Sequence, residues 1–430
     1  MKNSLKFLLA AALPAGAAAL YLMWPQPELA AVAAPVALAA PAQLQQGARI
    51  VALGDCMVCH TAQGGAAYAG GLPLRTPFGT IYSTNITPDP DTGIGRWSYP
   101  AFERAMRRGV SRDGHLLYPA FPYIHYTQAT DADIHAAYDY LMSRTPVHAP
   151  PRANELLLPL RFRPLLAGWN LLFLRAGNQI AEHEQAARVV RGKYLVDSLG
   201  HCASCHSGLN PIGGESSPAF GGGHIDGWDA PSLIRLKQLA VPWTQEDLFD
   251  YLHSGMSRAH GAAKGPMQPV VAHLSEVPAA DVSAIVAYLN QAQQAGSLEP
   301  LTERTAPAAP APAPPPAGAT LALRRQGATL FAAACAACHS DSAPMTRVTG
   351  NPGLKLSRST TDHSPNNFLQ TVLAGVPLKK EPAPVFMPPF ADILTDVQIE
   401  SIAAYVRGDI AGRPEWPTVK TAIATLRKGE

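Results

Sequence analysis

Apolar positions recur at helical spacing in three well-separated stretches of the chain. In "DADIHAAYDYLM", Asp131 to Met142, the residues Ile134, Ala137, Tyr138 and Leu141 fall on one face. "PAADVSAIVAYL", Pro278 to Leu289, carries Val282, Ile285, Ala287 and Leu289 less regularly, and "TDVQIESIAAYV", Thr395 to Val406, is the third. An acidic residue near each start suits the helix dipole. Upstream of each lies a Gly-led, helix-like stretch, beginning at Gly47, Gly192 and Gly327. Gly- and Pro-rich loops with little periodicity fill the space between. The chain is thus one unit written three times. The pattern predicts a mainly α fold of three tandem helical domains with long loops, at 43–150, 188–292 and 323–412.

The remaining stretches read as connections. Residues 151–187 form an apolar connecting segment. Within it "NELLLPLRFRPLLAGWNLLFLR", Asn154 to Arg175, is too interrupted by Pro159, Arg161, Arg163 and Pro164 to span a bilayer. It is expected to pack between the first two domains, with an interfacial membrane element as the alternative. Residues 293–322 form a Pro/Ala-rich linker, whose run from Thr305 to Ala319 predicts an extended polyproline spacer. Residues 413–430 read as a tail. At the other end, Lys2 and Lys6 precede an apolar run from Phe7 to Trp24, the pattern of an export signal. Residues 1–24 are a signal sequence or a retained anchor, and 25–42 an Ala/Pro tether. The chain is expected on the periplasmic side of a bacterial inner membrane.

A net charge of +2 carries no basic footprint of a nucleic-acid binder. The six cysteines change the picture more. All fall in "CMVCH" (Cys56, Cys59, His60), "CASCH" (Cys202, Cys205, His206) and "CAACH" (Cys335, Cys338, His339). Cys-x-x-Cys-His is the attachment pattern of c-type haem. Two thiols on one helical turn reach the two vinyl groups of a porphyrin, and the following imidazole meets the iron. A redox-active pair or half a zinc site explains one such motif but not three in an exported chain. Three covalent haems are expected, with His60, His206 and His339 as proximal ligands.

A sixth ligand is commonly a downstream Met, which raises the potential. Met267 lies 61 residues beyond His206, and Met387 lies 48 beyond His339. Both stand in Pro-containing loops just before a closing helix. Counting 61 from His60 reaches Phe121, which cannot bind iron. The candidates nearby are His125, His115, Met106 and Met142, and His125 needs the smallest rerouting of chain. An iron left five-coordinate or holding water is the alternative.

Beyond the haem motifs, "TPFGTIYSTNITPDPDTGIGRWS" (Thr76 to Ser98), "DGHLLYPA", "RPLLAGWNLLF", "DGWDAPSL" and "GPMQPVV" resemble the triple-haem cytochrome c subunits of bacterial membrane-bound dehydrogenases. The resemblance runs from about Gln43 to Gly408. The family serves quinoprotein alcohol dehydrogenases, flavin-dependent gluconate-type dehydrogenases and molybdenum hydroxylases of the isoquinoline or nicotinate type. Its alcohol dehydrogenase members read Tyr-Pro-Ala-Met-Pro-Tyr where this chain has Phe121. The Phe form followed by His, with "LKLSRSTTDHSPNNFLQTVLAGV" in the third repeat, looks more like the molybdenum branch.

The resemblance implies a relay from a catalytic dehydrogenase subunit through three haems to quinone or a terminal oxidase. No dinucleotide fingerprint follows a strand, and no cysteine is spare for an iron–sulfur cluster. The rival readings are a self-contained, peroxidase-like haem enzyme at an open first haem, and a free electron carrier.

Overall fold

In each repeat a glycine stands where the first and last helices cross. A Cβ on Gly47 would lie 2.0 Å from the Ala136 carbonyl oxygen and 2.6 Å from Tyr140 Cβ. On Gly192 it would meet the Ala284 oxygen at 2.0 Å and Tyr288 Cβ at 2.8 Å, and on Gly327 the Ser401 oxygen at 2.0 Å and Tyr405 Cβ at 2.8 Å. The Gly-led openings seen in the sequence are therefore close-approach points, where only a hydrogen fits. In Gly327→Ala the helices must separate. Ala is the better helix former by ~1 kcal/mol, but overpacking costs ~1–3 kcal/mol. A lower melting temperature is expected by calorimetry, and a rise would refute the close-crossing account.

The computed structural model describes residues 25–32, 39–177, 187–239, 241–295, 318–344, 353–379 and 385–428. The apolar run 7–24 and the linker 305–317 lie outside the described residues. The chain divides into two compact units, one of residues 1–185 and 193–201, the other of 186–192 and 202–430.

The first unit holds the first repeat. Its opening helix is Pro41–Leu53 and its closing helix Asp131–Met142, the latter at the bounds the periodicity predicts. Thr130 caps the closing helix through Asp133 N at 3.1 Å. Strands Pro73–Thr76 and Gly79–Tyr82 pair antiparallel, and Glu155–Leu156 adds a third strand. The supposed tether is not loose where it is described. Leu29 N donates to Arg112 O at 2.9 Å, Val32 N to Arg96 O at 3.0 Å, and Glu28 pairs with Arg112 at 2.7 Å. Pro41 and Ala42 already belong to the opening helix.

The connecting segment touches the first repeat, where Tyr123 Oη donates to Asn170 Oδ1 at 2.6 Å and Tyr118 Oη to the Leu160 oxygen at 3.0 Å. Its helix Leu166–Phe173 buries only Ala167. Leu158 is 79% and Leu171 64% exposed, with Leu157, Phe162 and Leu172 also exposed. Proline and three arginines break its apolar periodicity, and its helix meets the buried Tyr123 through Trp169, at 6.2 Å between rings, while its leucines face outward. Among the described residues no helix is long and apolar enough to cross a membrane.

The second unit holds repeats two and three, less residues 193–201 of repeat two, which fall in the first. Repeat two closes with Ala279–Ala295, longer than its periodicity indicated. Repeat three opens with Gly318–Ala334 and closes with Asp396–Tyr405, which starts at a capping box of Thr395 and Gln398. The core of repeat three joins Phe331, Phe368, Leu369, Ile399 and Ile402 to Trp416, Val419 and Ile423. The last three belong to the stretch read as a tail. Its helix Val419–Arg427 is amphipathic and completes the third core. The hairpin Gly223–Ile225/Trp228–Ala230 of repeat two docks on helix Asn366–Ala374 of repeat three. Asn367 fixes it, accepting from Asp229 N at 2.8 Å and donating to Asp229 O at 2.9 Å.

Candidate haem sites

Each Cys-His motif forms a four-residue turn of helix just after the opening helix: Cys56–Cys59, Ala203–His206 and Ala336–His339. None of the six cysteines is in a disulfide. In repeat one Gly54 ends the opening helix and Asp55 turns the chain through a left-handed conformation. That break lets a second short helix present both thiols. Burial, with the Asp55 charge, pushes the Cys56 thiol up to about 12, and burial raises Cys335 too. Among the described residues no three His, Cys, Asp or Glu side chains converge to hold a metal ion, so two thiols beside one histidine suit thioether attachment better than a zinc site.

The histidines are set up as metal ligands. His60 Nδ1 lies 2.6 Å from the Thr84 oxygen, and His206 Nδ1 lies 2.7 Å from the Pro231 oxygen. A carbonyl only accepts, so Nδ1 carries the proton and Nε2 keeps the lone pair that would bind a haem iron. Burial lowers the pKa of His60, His206 and His339, keeping the rings neutral as ligation requires. The residues present therefore fit haem c.

The distal positions share a register that the count from the histidines misses. Helices Tyr99–Arg108 and Gln245–Ser254 end at Gly109 and Gly255, with φ of 62° and 79°. Helix Asn366–Ala374 ends at Gly375, with φ of 70°. In each repeat the residue twelve beyond that glycine is the distal candidate: Phe121, Met267 or Met387. In repeats one and two the backbone in between pairs in matching register, Val110 with Leu116 and Met256 with Ala262. The sequence carried this signal as a helix-ending glycine at constant distance. Counting from the histidine hides it, because the third repeat's loop is shorter.

Phe121 thus occupies the ligand register of repeat one, with its ring 5.6 Å from Tyr126 and 6.2 Å from Tyr123. His125 sits in helix Tyr123–Tyr126, buried, with Nδ1 2.8 Å from the Asp197 oxygen. That anchoring repeats the pattern of His60 and His206. Four residues past Met267, however, repeat two places Val271, which is buried as packing. Of the other candidates, Met106 is buried in helix Tyr99–Arg108. His115 pairs with Asp113 at 2.7 Å, and Met142 ends the closing helix.

One histidine has no counterpart among the motifs of the sequence. His201, directly before Cys202, is placed in the first unit with Nε2 3.3 Å from the Gly54 oxygen and its ring 5.5 Å from Tyr126. Burial and the neighbouring His125 hold its pKa down.

Residues 44–145 and 189–293 match the family described as "Cytochrome c", and residues 322–406 match "Cytochrome C oxidase, cbb3-type, subunit III". The chain is 44% identical over 90% of its length to a nicotinate dehydrogenase subunit of Pseudomonas putida, but spans only 32% of that longer protein. It is 34% identical to the fructose dehydrogenase cytochrome subunit of Gluconobacter japonicus, covering 90% of this chain and 83% of the relative. It is 33% identical to the gluconate 2-dehydrogenase cytochrome c subunit of Pantoea cypripedii, covering 90% of each. With attachment turns and neutral, anchored histidines in cytochrome c domains, the chain belongs to the cytochrome c subunits of bacterial dehydrogenases, haem proteins that transfer electrons.

Proposed function

We propose that this chain carries three covalent haems and relays electrons from a catalytic dehydrogenase subunit to quinone or a terminal oxidase. The partner is a molybdenum hydroxylase oxidising an aldehyde or an N-heteroaromatic compound. The observation that carries this choice is the likeness to the nicotinate dehydrogenase subunit, at 44% identity against 33–34% for the fructose and gluconate cytochromes. Phe121 in the ligand register supports it, since the alcohol dehydrogenase branch resembled above has Met there. Haem two is held by His206 and Met267, haem three by His339 and Met387, and haem one by His60 with His125. The haems supply one-electron transfer. The chain's residues fix ligation, burial and docking.

The chain works at the periplasmic face of the inner membrane, anchored by residues 1–24 or by its partners. The exposed leucines of 157–172 offer a further apolar contact. One purification tests the reading. A tagged chain extracted from membranes should bring down a large subunit containing molybdenum. Its intact mass should equal residues 1–430 plus three haem groups, or the same less a cleaved N-terminus. A mass with two haems, or a quinoprotein or flavoprotein partner, would overturn the corresponding part.

A further inference from the structure

The loop that carries Met267 is held from outside its own repeat. Helix Met267–Leu274 starts just after Gly265, which turns the chain at a φ of 51°. A Cβ on Gly265 would lie 2.3 Å from Trp228 Cε2, so the indole bears directly on this backbone. Trp228 belongs to the hairpin Gly223–Ile225/Trp228–Ala230. The same hairpin touches the attachment turn. A Cβ on Gly223 would meet the Cys205 oxygen at 2.2 Å and the Ser207 oxygen at 2.5 Å. Pro231, the next residue after the hairpin, accepts from His206 Nδ1 at 2.7 Å. One short hairpin therefore connects the His206 turn to the Met267 loop.

A two-stranded hairpin is marginal by itself, so its docking decides where Trp228 sits. The docking partner is repeat three. Asp229, beside Trp228, exchanges two backbone hydrogen bonds with the Asn367 side chain, at 2.8 and 2.9 Å. Gln370 Nε2 donates to Asp226 O at 3.2 Å. At the hairpin tip a Cβ on Gly227 would meet Gln370 at 2.4 Å and Leu426 at 2.8 Å. The loop itself is held a second time, where Lys264 Nζ donates to Ser359 Oγ of repeat three at 3.2 Å.

We propose that repeat three braces the Met267 side of haem two. Asn367, through Asp229 and Trp228, and Ser359, through Lys264, are positioning residues that keep Met267 on the iron. The brace rests on the His206/Met267 ligation proposed above. Cutting it changes no ligand but lets the loop leave more often. Repeat three thus keeps haem two closed to small ligands and at the potential that a methionine sets.

The test is the rate at which carbon monoxide binds haem two in the reduced holoprotein, a rate limited by departure of Met267. Asn367→Ala removes both Asp229 hydrogen bonds, and at ordinary net strengths the loop should open about tenfold more often. Ser359→Ala removes one bond and should give about threefold. Trp228→Ala should do at least as much as Asn367→Ala, while Trp228→Phe, which keeps a ring against Gly265, should stay near the parent. Combined variants identify the haem. In a Met267→Ala chain, with haem two already open, Asn367→Ala should add nothing. In a Met387→Ala chain its effect should persist. An effect lost with Met387→Ala confines Asn367 to its own repeat and overturns the brace. Parent rates in both Asn367→Ala and Ser359→Ala overturn it too. If Asn367→Ala does not accumulate, Ser359→Ala decides by the same two combinations. A Met267→Ala chain that opens no haem to carbon monoxide overturns the ligation beneath the brace instead.

Discussion

A chain carrying Met387→His is expected to show one haem whose potential falls by on the order of 0.1 V or more, a fraction of the ~0.8 V that axial ligands span. Imidazole donates more strongly to ferric iron than a thioether, so the oxidised state gains. Met387 ends strand Val385–Met387 and is only partly buried, so an imidazole fits without a large packing cost. The other two potentials should stay near their parent values, and the spectrum should lose one methionine–iron charge-transfer contribution. Spectroelectrochemistry reads both. Three unchanged potentials with an unchanged spectrum would remove Met387 from the ligand set. The same substitution at Met267 should act on a different haem, because the two residues occupy the same register of separate repeats.

His125→Ala should convert haem one from low spin to high spin and let it bind carbon monoxide when reduced. In the parent protein this haem, with two imidazoles, should have the lowest potential of the three. The competing position is built into the fold. Phe121 stands in the ligand register, and His125 falls where repeat two places the packed Val271. Adding Phe121→Met to His125→Ala should then restore a low-spin haem, now at higher potential. A low-spin spectrum that survives His125→Ala unchanged would exclude His125 and turn attention to His115, Met106 or Met142. If the parent already binds carbon monoxide at one haem, the site is open and the haem-enzyme reading gains.

The sequence made the haem chemistry legible because covalent attachment demands contiguous residues. Cys56, Cys59 and His60 must share one helical turn, so spacing alone reveals them. The helices at each end of a repeat were legible from their periodicity. The hairpins were not, since Pro73–Thr76 and Gly79–Tyr82 are four residues each and gain little from alternation. The packed C-terminal helix reads as a tail in the sequence because its partners, Phe331 and Phe368, are distant along the chain. Lys264 and Ser359 illustrate the same limit. Their contact joins residues 95 apart, and nothing local in "GAAKGPM" distinguishes a buried cation from a solvated one.

The constant interval from the left-handed glycine to Phe121, Met267 or Met387 has an engineering consequence. The helix terminus sets the candidate ligand of each repeat at a fixed interval, whatever the length of chain between the histidine and that glycine. On the proposed ligation a loop can shorten, as in the third repeat, without moving the candidate ligand, and a one-residue exchange in the slot should reset a potential without rebuilding the domain. Three linked copies of such a slot form a ladder whose rungs are adjusted one codon at a time.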